Sequence, residues 1–175
     1  MSMDRQPHRI VVEGMDGAGK TTLIEQLSND FPQFQVITRP QGRSFNDWWP
    51  EELDRLAGEP IPIYDRFFYS ELVYGPILRH KIDADTVILN EVAWFLRSTA
   101  LLIYCRPHSD TIRKMVLHRP QMDGVIENFD KLLDGYDAVM AAESPRYGNR
   151  FHQYDWHGRD AYDEIRWRVK DYLDK

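Results

Sequence analysis

The segment that most limits what this chain can fold into runs from Val12 to Thr22: Val12-Glu13-Gly14-Met15-Asp16-Gly17-Ala18-Gly19-Lys20-Thr21-Thr22. Gly14, Gly19, Lys20 and Thr21 satisfy the spacing G-x-x-x-x-G-K-[ST]. The flanks are the ones that pattern needs. Ile10-Val11-Val12 reads as a buried strand, and Lys20 to about Asn29 sets Leu23, Ile24 and Leu27 at helical spacing before Pro32 ends the helix. Glycines in such a turn let the backbone curl so that several N–H groups face one anion, and the helix that follows turns its positive end toward the same point. Lys20 is then set to bridge the β- and γ-phosphates of a nucleoside triphosphate, and the Thr21 hydroxyl to ligate magnesium. Gly14, Asp16, Gly17, Ala18, Gly19, Lys20, Thr21 and Thr22 are therefore read as a cradle for ATP with Mg2+.

Downstream, short apolar runs alternate with longer stretches of helical period. Phe34 to Thr38 and Ile61 to Asp65 read as the second and third strands, with Pro62 a poor fit to a central strand. Helices are predicted from about Phe67 to Arg79, kinked by Pro76, and from Asp83 to Arg97 with Val87, Ile88, Val92 and Phe95 as its buried stripe. Leu101 to Cys105 is a strand, and Ser109 is a candidate helix cap. Ile126, Phe129, Leu133, Tyr136 and Met140 alternate spacings of three and four, the mark of a long amphipathic helix. Phe151 to Asp155 reads as a last strand, and Asp160 opens a last helix with Ala161, Ile165, Val169 and Tyr172 on one face. Strands separated by helices require crossover connections, so the fold class is α/β with a parallel sheet covered on both faces. Ligands of such sheets bind beyond the carboxyl ends of the strands. Those ends carry Glu13 to Thr21, Thr38-Arg39 and Asp65-Arg66.

Composition removes several classes. With 28 acidic and 22 basic residues, a net charge of −6 argues against an extended nucleic-acid surface, though not against a small cationic pocket. No apolar stretch approaches the length of a membrane span, and the first nine residues lack a secretory core, so a reducing cytoplasm is the expected setting. Cys105, the single cysteine, lies in an apolar run and reads as a buried strand residue. The six histidines show no metal-ligand spacing.

The Asp65-Arg66 pair at a strand end adds direction. The carboxylate there is set to hold magnesium's water shell, and the guanidinium to clamp a transferring phosphoryl group; a structural ion pair is the alternative. A guanine-reading Asn-Lys-x-Asp segment is missing, which removes the GTPase switches. Taken with Thr38-Arg39-Pro40, Asp65-Arg66-Phe67, and Ser70 with Val73-Tyr74-Gly75, the phosphate loop resembles that of thymidylate kinases, in a compact form similar to short bacteriophage members. The resemblance extends loosely to about Tyr136. It implies a three-layer P-loop NTPase fold with five parallel strands flanked by helices, and one kinase domain over residues 1–175 with a small lid around 108–124. The implied reaction carries the ATP γ-phosphoryl group to a deoxynucleoside monophosphate, dTMP or a relative.

By position, the resemblance gives Arg39 the acceptor phosphate, Arg66 the bridge between donor and acceptor, and Asp16 the acceptor's sugar hydroxyl or a magnesium-bound water. Phe67 and Tyr74 would pack around base or sugar, and Asp65 with Thr21 would hold the metal. Arg113 and Arg119 fall where the family has its arginine-bearing lid, although for Arg113 a solvated helix face reads equally well. The stretch from Gln41 to Pro60 is shorter than the family's base-reading helix. Arg55 is its best base-contact candidate, and Trp48 and Trp49 read as core or homodimer contacts. Two rivals stay open. A deoxynucleoside kinase would use Glu13 as base toward a 5′-hydroxyl. A regulatory module would bind nucleotide without turning it over.

Overall fold

The computed structural model describes residues 8–40, 43–55 and 60–175, with the side chains of residues 53–55 outside that set. Five strands form one sheet: β1 (Arg9–Glu13), β2 (Phe34–Ile37), β3 (Ile61–Asp65), β4 (Ala100–Cys105) and β5 (Phe151–Tyr154). Their order is β2-β3-β1-β4-β5, and every pairing is parallel. The central strands β1 and β4 are buried along their whole length, as near-continuous apolar runs in a doubly covered sheet should be. The chain builds to one side of β1 and then returns to the other, so a topological switch point lies at the carboxyl end of β1.

Around the sheet lie α1 (Lys20–Asp30), α2 (Phe45–Arg55), α3 (Phe68–Tyr74), α4 (Thr86–Thr99), α5 (Ser109–Leu117), α6 (Phe129–Tyr147) and α7 (Ala161–Leu173). The fold is the three-layer P-loop NTPase architecture with five parallel strands. No helix among the described residues is long and apolar enough to cross a membrane.

Local chemistry accounts for most boundaries. Pro62 is tolerated because it pairs only with Gln35 of β2, whereas the ladder to β1 begins one residue later at Ile63. The helix expected from Phe67 to Arg79 is divided: α3 ends at Tyr74, and Gly75–Arg79 forms a π-helical turn around Pro76, closed by His80 at φ 54°. Proline removes an N–H from the ladder, and the wider turn absorbs the loss. The stripe of α4 differs from expectation. Asp85 caps the helix through Val87 N–H at 2.7 Å, and that phase buries Leu89, Val92, Ala93 and Leu96 while leaving Val87 65% exposed. His108, rather than Ser109, caps α5 through the Asp110 N–H at 3.3 Å. Ile126 lies before α6 and is exposed, whereas Phe129, Leu133, Tyr136 and Met140 are buried as their spacing requires. Cys105 is fully buried, and burial pushes its thiol up to about 12.

Trp48 and Trp49 belong to the core. Phe45, Trp48 and Trp49 of α2 meet Tyr64, Phe67 and Phe68 in a mostly edge-to-face cluster, with Trp48 5.2 Å and Trp49 5.5 Å from Phe67. This packing fastens α2 over β3. Arg55 ends α2, and its side chain lies outside the described residues.

Candidate active site

The loop between β1 and α1 holds its shape through positions that only glycine can fill. Gly14 has φ 144°, and a Cβ there would lie 2.5 Å from the Cys105 carbonyl oxygen at the end of β4. Gly19 precedes α1 at φ 91°, and a Cβ there would meet the Trp156 indole at 2.9 Å. Ala18 is fully buried and its N–H donates to the Met15 carbonyl at 3.2 Å. Lys20 folds back over the loop, its Nζ donating to the same carbonyl at 2.9 Å. Burial, aided by the nearby Arg66 charge, lowers the Lys20 pKa to about 8. An ammonium held this dry gains a great deal from an anion.

Beside it, Asp65 ends β3 with a buried Oδ1 that has no hydrogen-bond partner. An orphaned carboxylate oxygen at a strand end is a fit for a hydrated cation, and the Thr21 hydroxyl belongs to the polar cavity over Lys20. Among the described residues no group of three or more His, Cys, Asp or Glu side chains could hold a metal alone. A magnesium ion here would draw its remaining ligands from phosphate and water.

Arg66 is the hub. Its backbone lies in the left-handed region at φ 68°, a strained conformation for arginine, stabilised by its N–H on the Val12 carbonyl at 3.0 Å. Its guanidinium donates to Tyr136 Oη at 2.8 Å and Ser70 Oγ at 3.3 Å, and pairs with Asp16. Burial opposes that charge, but Tyr136, Tyr74, Asp16 and Glu13 outweigh it and hold the pKa well above the ordinary value. Asp16 also accepts the Tyr74 hydroxyl at 2.7 Å. Burial pushes the Asp16 carboxyl up, yet Arg66, Lys20 and these hydrogen bonds together leave it lowered.

Glu13 is fully buried and engaged by the Phe67 N–H at 2.6 Å, the Ser70 N–H at 3.3 Å, the Ser70 hydroxyl at 2.9 Å and the Tyr136 hydroxyl at 3.5 Å. Burial raises its carboxyl pKa, with Arg66 the main opposing influence. This carboxylate organises the start of α3.

Three cavities meet at the loop. The first, about 410 Å³, is bounded by Gly17, Gly19, Gln26, Met115, Trp156 and Arg159. The second, about 190 Å³ and polar, opens over Lys20, Thr21 and Thr22 beneath Arg119. The third, about 200 Å³, lies on the other side of Asp16 and is lined by Arg39, Arg66, Glu71, Tyr74 and Arg79.

Two expected site residues have other work. The Phe67 ring is 6% exposed inside the aromatic cluster, because α2 covers it, and it lines none of these three cavities. Arg113 turns to α6, pairing with Asp130 at 2.5 Å and lying 4.1 Å over the Phe129 ring. Arg119, also in the segment 108–124, lines the polar cavity over the loop. Glu71 and Arg79 also line the third cavity and Tyr136 braces Arg66, roles that the sequence pattern does not mark. Tyr136 was visible only as one tooth of an amphipathic stripe, and nothing local marks the other two.

The sheet order, the glycine loop at its switch point and an arginine-lined cavity across from it define a protein of the P-loop NTPase fold whose structural neighbours are P-loop kinases. No family model matches the chain. The prophage-derived protein YorR of Bacillus subtilis is 28% identical over 161 residues, spanning 89% of this chain and 93% of that protein. The crystal structure of YorR in complex with phosphorylated GDP has a TM-score of 0.67 at 25% identity, covering 95% of each chain. Deoxyadenosine kinase from M. mycoides with bound dATP has a TM-score of 0.62 at 14% identity, covering 95% of this chain and 100% of that one. Polyphosphate kinase 2 from Arthrobacter aurescens has a TM-score of 0.64 at 13% identity, covering 97% of this chain and 69% of that one.

Proposed function

We propose that the protein is a nucleoside monophosphate kinase, resembling thymidylate kinases, that carries the γ-phosphoryl group of ATP to a deoxynucleoside monophosphate. The observation that carries this reading is that the polar cavity over Lys20 and the arginine-lined cavity share Asp16, with which Arg66 pairs. A phosphoryl group passing from one side to the other would travel past that guanidinium.

The donor phosphates bind on the loop N–H groups and Lys20, with the donor base in the cavity beside Trp156. Thr21 and Asp65 would hold Mg2+, which when bound would neutralise charge on the donor phosphates. Arg66 grips transferring and acceptor phosphates, Arg39 grips the acceptor, and Asp16 with Tyr74 orients the acceptor sugar. The segment 108–124 serves as the lid, bringing Arg119 over the phosphates and excluding water. That M. mycoides deoxyadenosine kinase binds dATP supports a deoxynucleotide ligand in this architecture. YorR, crystallised with phosphorylated GDP, supports a purine as readily as thymine.

The rival reading, a kinase acting on a nucleoside 5′-hydroxyl, needs Glu13 as base. That carboxylate is fully buried and already accepts from three residues, and it lines none of the three cavities. The deciding experiment supplies Mg-ATP with a panel of nucleosides and nucleoside monophosphates and scores ADP release. Turnover with monophosphates is the expected result. Turnover with nucleosides alone would replace the reading with its rival, and silence across the panel would favour a nucleotide-binding module.

A further inference from the structure

The acceptor-side cavity contains more cationic machinery than the phosphate-loop pattern foretells. Glu71, on α3, is 3% exposed and lies under the π-helical turn. Gly75 makes that approach feasible: a Cβ there would stand 2.9 Å from Glu71 Oε1 and 2.6 Å from the Lys81 carbonyl oxygen. The carboxylate accepts the Asp83 N–H at 2.8 Å and the Arg79 guanidinium at 2.5 Å, and faces Arg39 at 3.5 Å. Arg39 and Arg79 are each about one-third exposed, at 35% and 34%, and both line the cavity that Arg66 enters. Among the described residues, then, three guanidiniums and two carboxylates, Asp16 and Glu71, surround it.

A buried carboxylate shared by two guanidiniums keeps like charges together that would otherwise repel, and it fixes their direction. Arg79, in close contact, is the fixed jaw; Arg39, at the longer distance, is the looser one. Among the side chains that line the cavity, guanidiniums outnumber carboxylates by one, with Glu13 buried behind Arg66 and Lys20 beside Asp16. A phosphate monoester supplies the missing negative charge and acceptor oxygens matched to a planar fork. We propose that Arg79 is a second contact for the acceptor's phosphate and that Glu71 is the positioning residue for Arg79 and Arg39. The chemistry selected is a phosphate monoester rather than a free hydroxyl. This rests on the monophosphate-kinase reading and adds to it the residues that enforce the choice.

The test combines steady-state kinetics under Mg-ATP with calorimetric titration of dTMP, dCMP, dGMP and dAMP in the absence of ATP. The proteins are the unaltered chain, Arg79→Ala, Arg79→Lys and Glu71→Gln. For the best acceptor, Arg79→Ala should raise KM and weaken direct binding about 10- to 100-fold, the loss expected for a charge-assisted pair. The ATP KM should stay within about twofold. Arg79→Lys should recover only part of the loss, because an ammonium is a point charge and not a fork. Glu71→Gln should weaken monophosphate binding about 3- to 10-fold while the ATP KM holds. An acceptor KM for Arg79→Ala within about twofold of the unaltered protein, with turnover on monophosphates intact, overturns this inference and leaves the kinase reading standing. Turnover by the unaltered protein on nucleosides alone overturns the reading, and this inference with it. If Glu71→Gln does not fold, the two Arg79 substitutions decide the matter alone, since that side chain lies partly in solvent.

Discussion

Lys20 is 7% exposed at the start of α1, and its pKa of about 8 is below the ordinary 10.5. The folded protein therefore binds that proton more weakly than the unfolded chain does. The penalty for holding a charged lysine there is fully present below about pH 8 and fades as pH rises toward 10.5. Phosphate reverses the balance by giving the ammonium a counter-charge. Lys20→Met should thus raise stability in the absence of nucleotide near pH 7, by about 1–2 kcal/mol after the loss of its bond to the Met15 carbonyl, equivalent to ~2–8 °C in Tm. The advantage should shrink as the melt is repeated near pH 10. Turnover in the same variant should fall by about a thousandfold or more. A variant melting lower than the parent near pH 7 would show that the lysine is structural. The same contrast explains which residues were legible in sequence. Gly14, Lys20, Thr21 and the Asp65-Arg66 pair are fixed by neighbours along the chain. Glu71 and Arg79, in contrast, acquire a role only when the π-helical turn brings them under Arg39, and Phe67 and Arg113 are of the right residue types but were taken by α2 and α6.

Among the elements, β1 and β4 were readable as short apolar runs, β3 was readable despite Pro62, and the long period of α6 was clear. Pro76 marked a kink in the helix after Phe67, but not the π-helical turn that the kink becomes, and the phase of α4 was hidden because it depends on one residue, Asp85, whose effect is geometric. The most informative case is α6. Its period announces a core helix, yet Tyr136 delivers a hydroxyl to Arg66 at 2.8 Å and to Ser70 at 2.9 Å, beneath the ends of β1 and β3. The helix thereby aims the guanidinium that the site turns on. Tyr136→Phe keeps the ring in its packing and removes only that hydroxyl. It should cost about 1–2 kcal/mol in denaturant unfolding and lower kcat about 3- to 30-fold, with the ATP KM unchanged. Lost stability with kcat intact would mark Tyr136 as a structural residue alone.

At the level of the whole molecule, a chain of net charge −6 offers a polyphosphate ligand little long-range attraction. Screening confines that repulsion to about 8 Å at physiological salt, so the cations around the loop govern binding at close range. The cavities lie on opposite sides of Asp16, which lines both the polar cavity over Lys20 and the arginine-lined one. If they serve a single transfer, a ligand that joins two nucleosides through a chain of phosphates should occupy both at once. ATP at about 100 times its Kd stabilises the fold by about 2.7 kcal/mol, ~5–11 °C in Tm for a domain of this size. The linked ligand should exceed that at equal concentration, because its second end binds from an effective concentration in the millimolar range. Adding Arg39→Ala should reduce the excess and leave the ATP shift, since that arginine lines only the acceptor-side cavity and leaves Arg66 and Arg79 in place. A thermal-shift series with ATP, a deoxynucleoside monophosphate, and dinucleoside polyphosphates of four, five and six phosphates tests this directly. A linked ligand that never exceeds ATP would mean that the two cavities do not share a reaction, whatever each one binds alone.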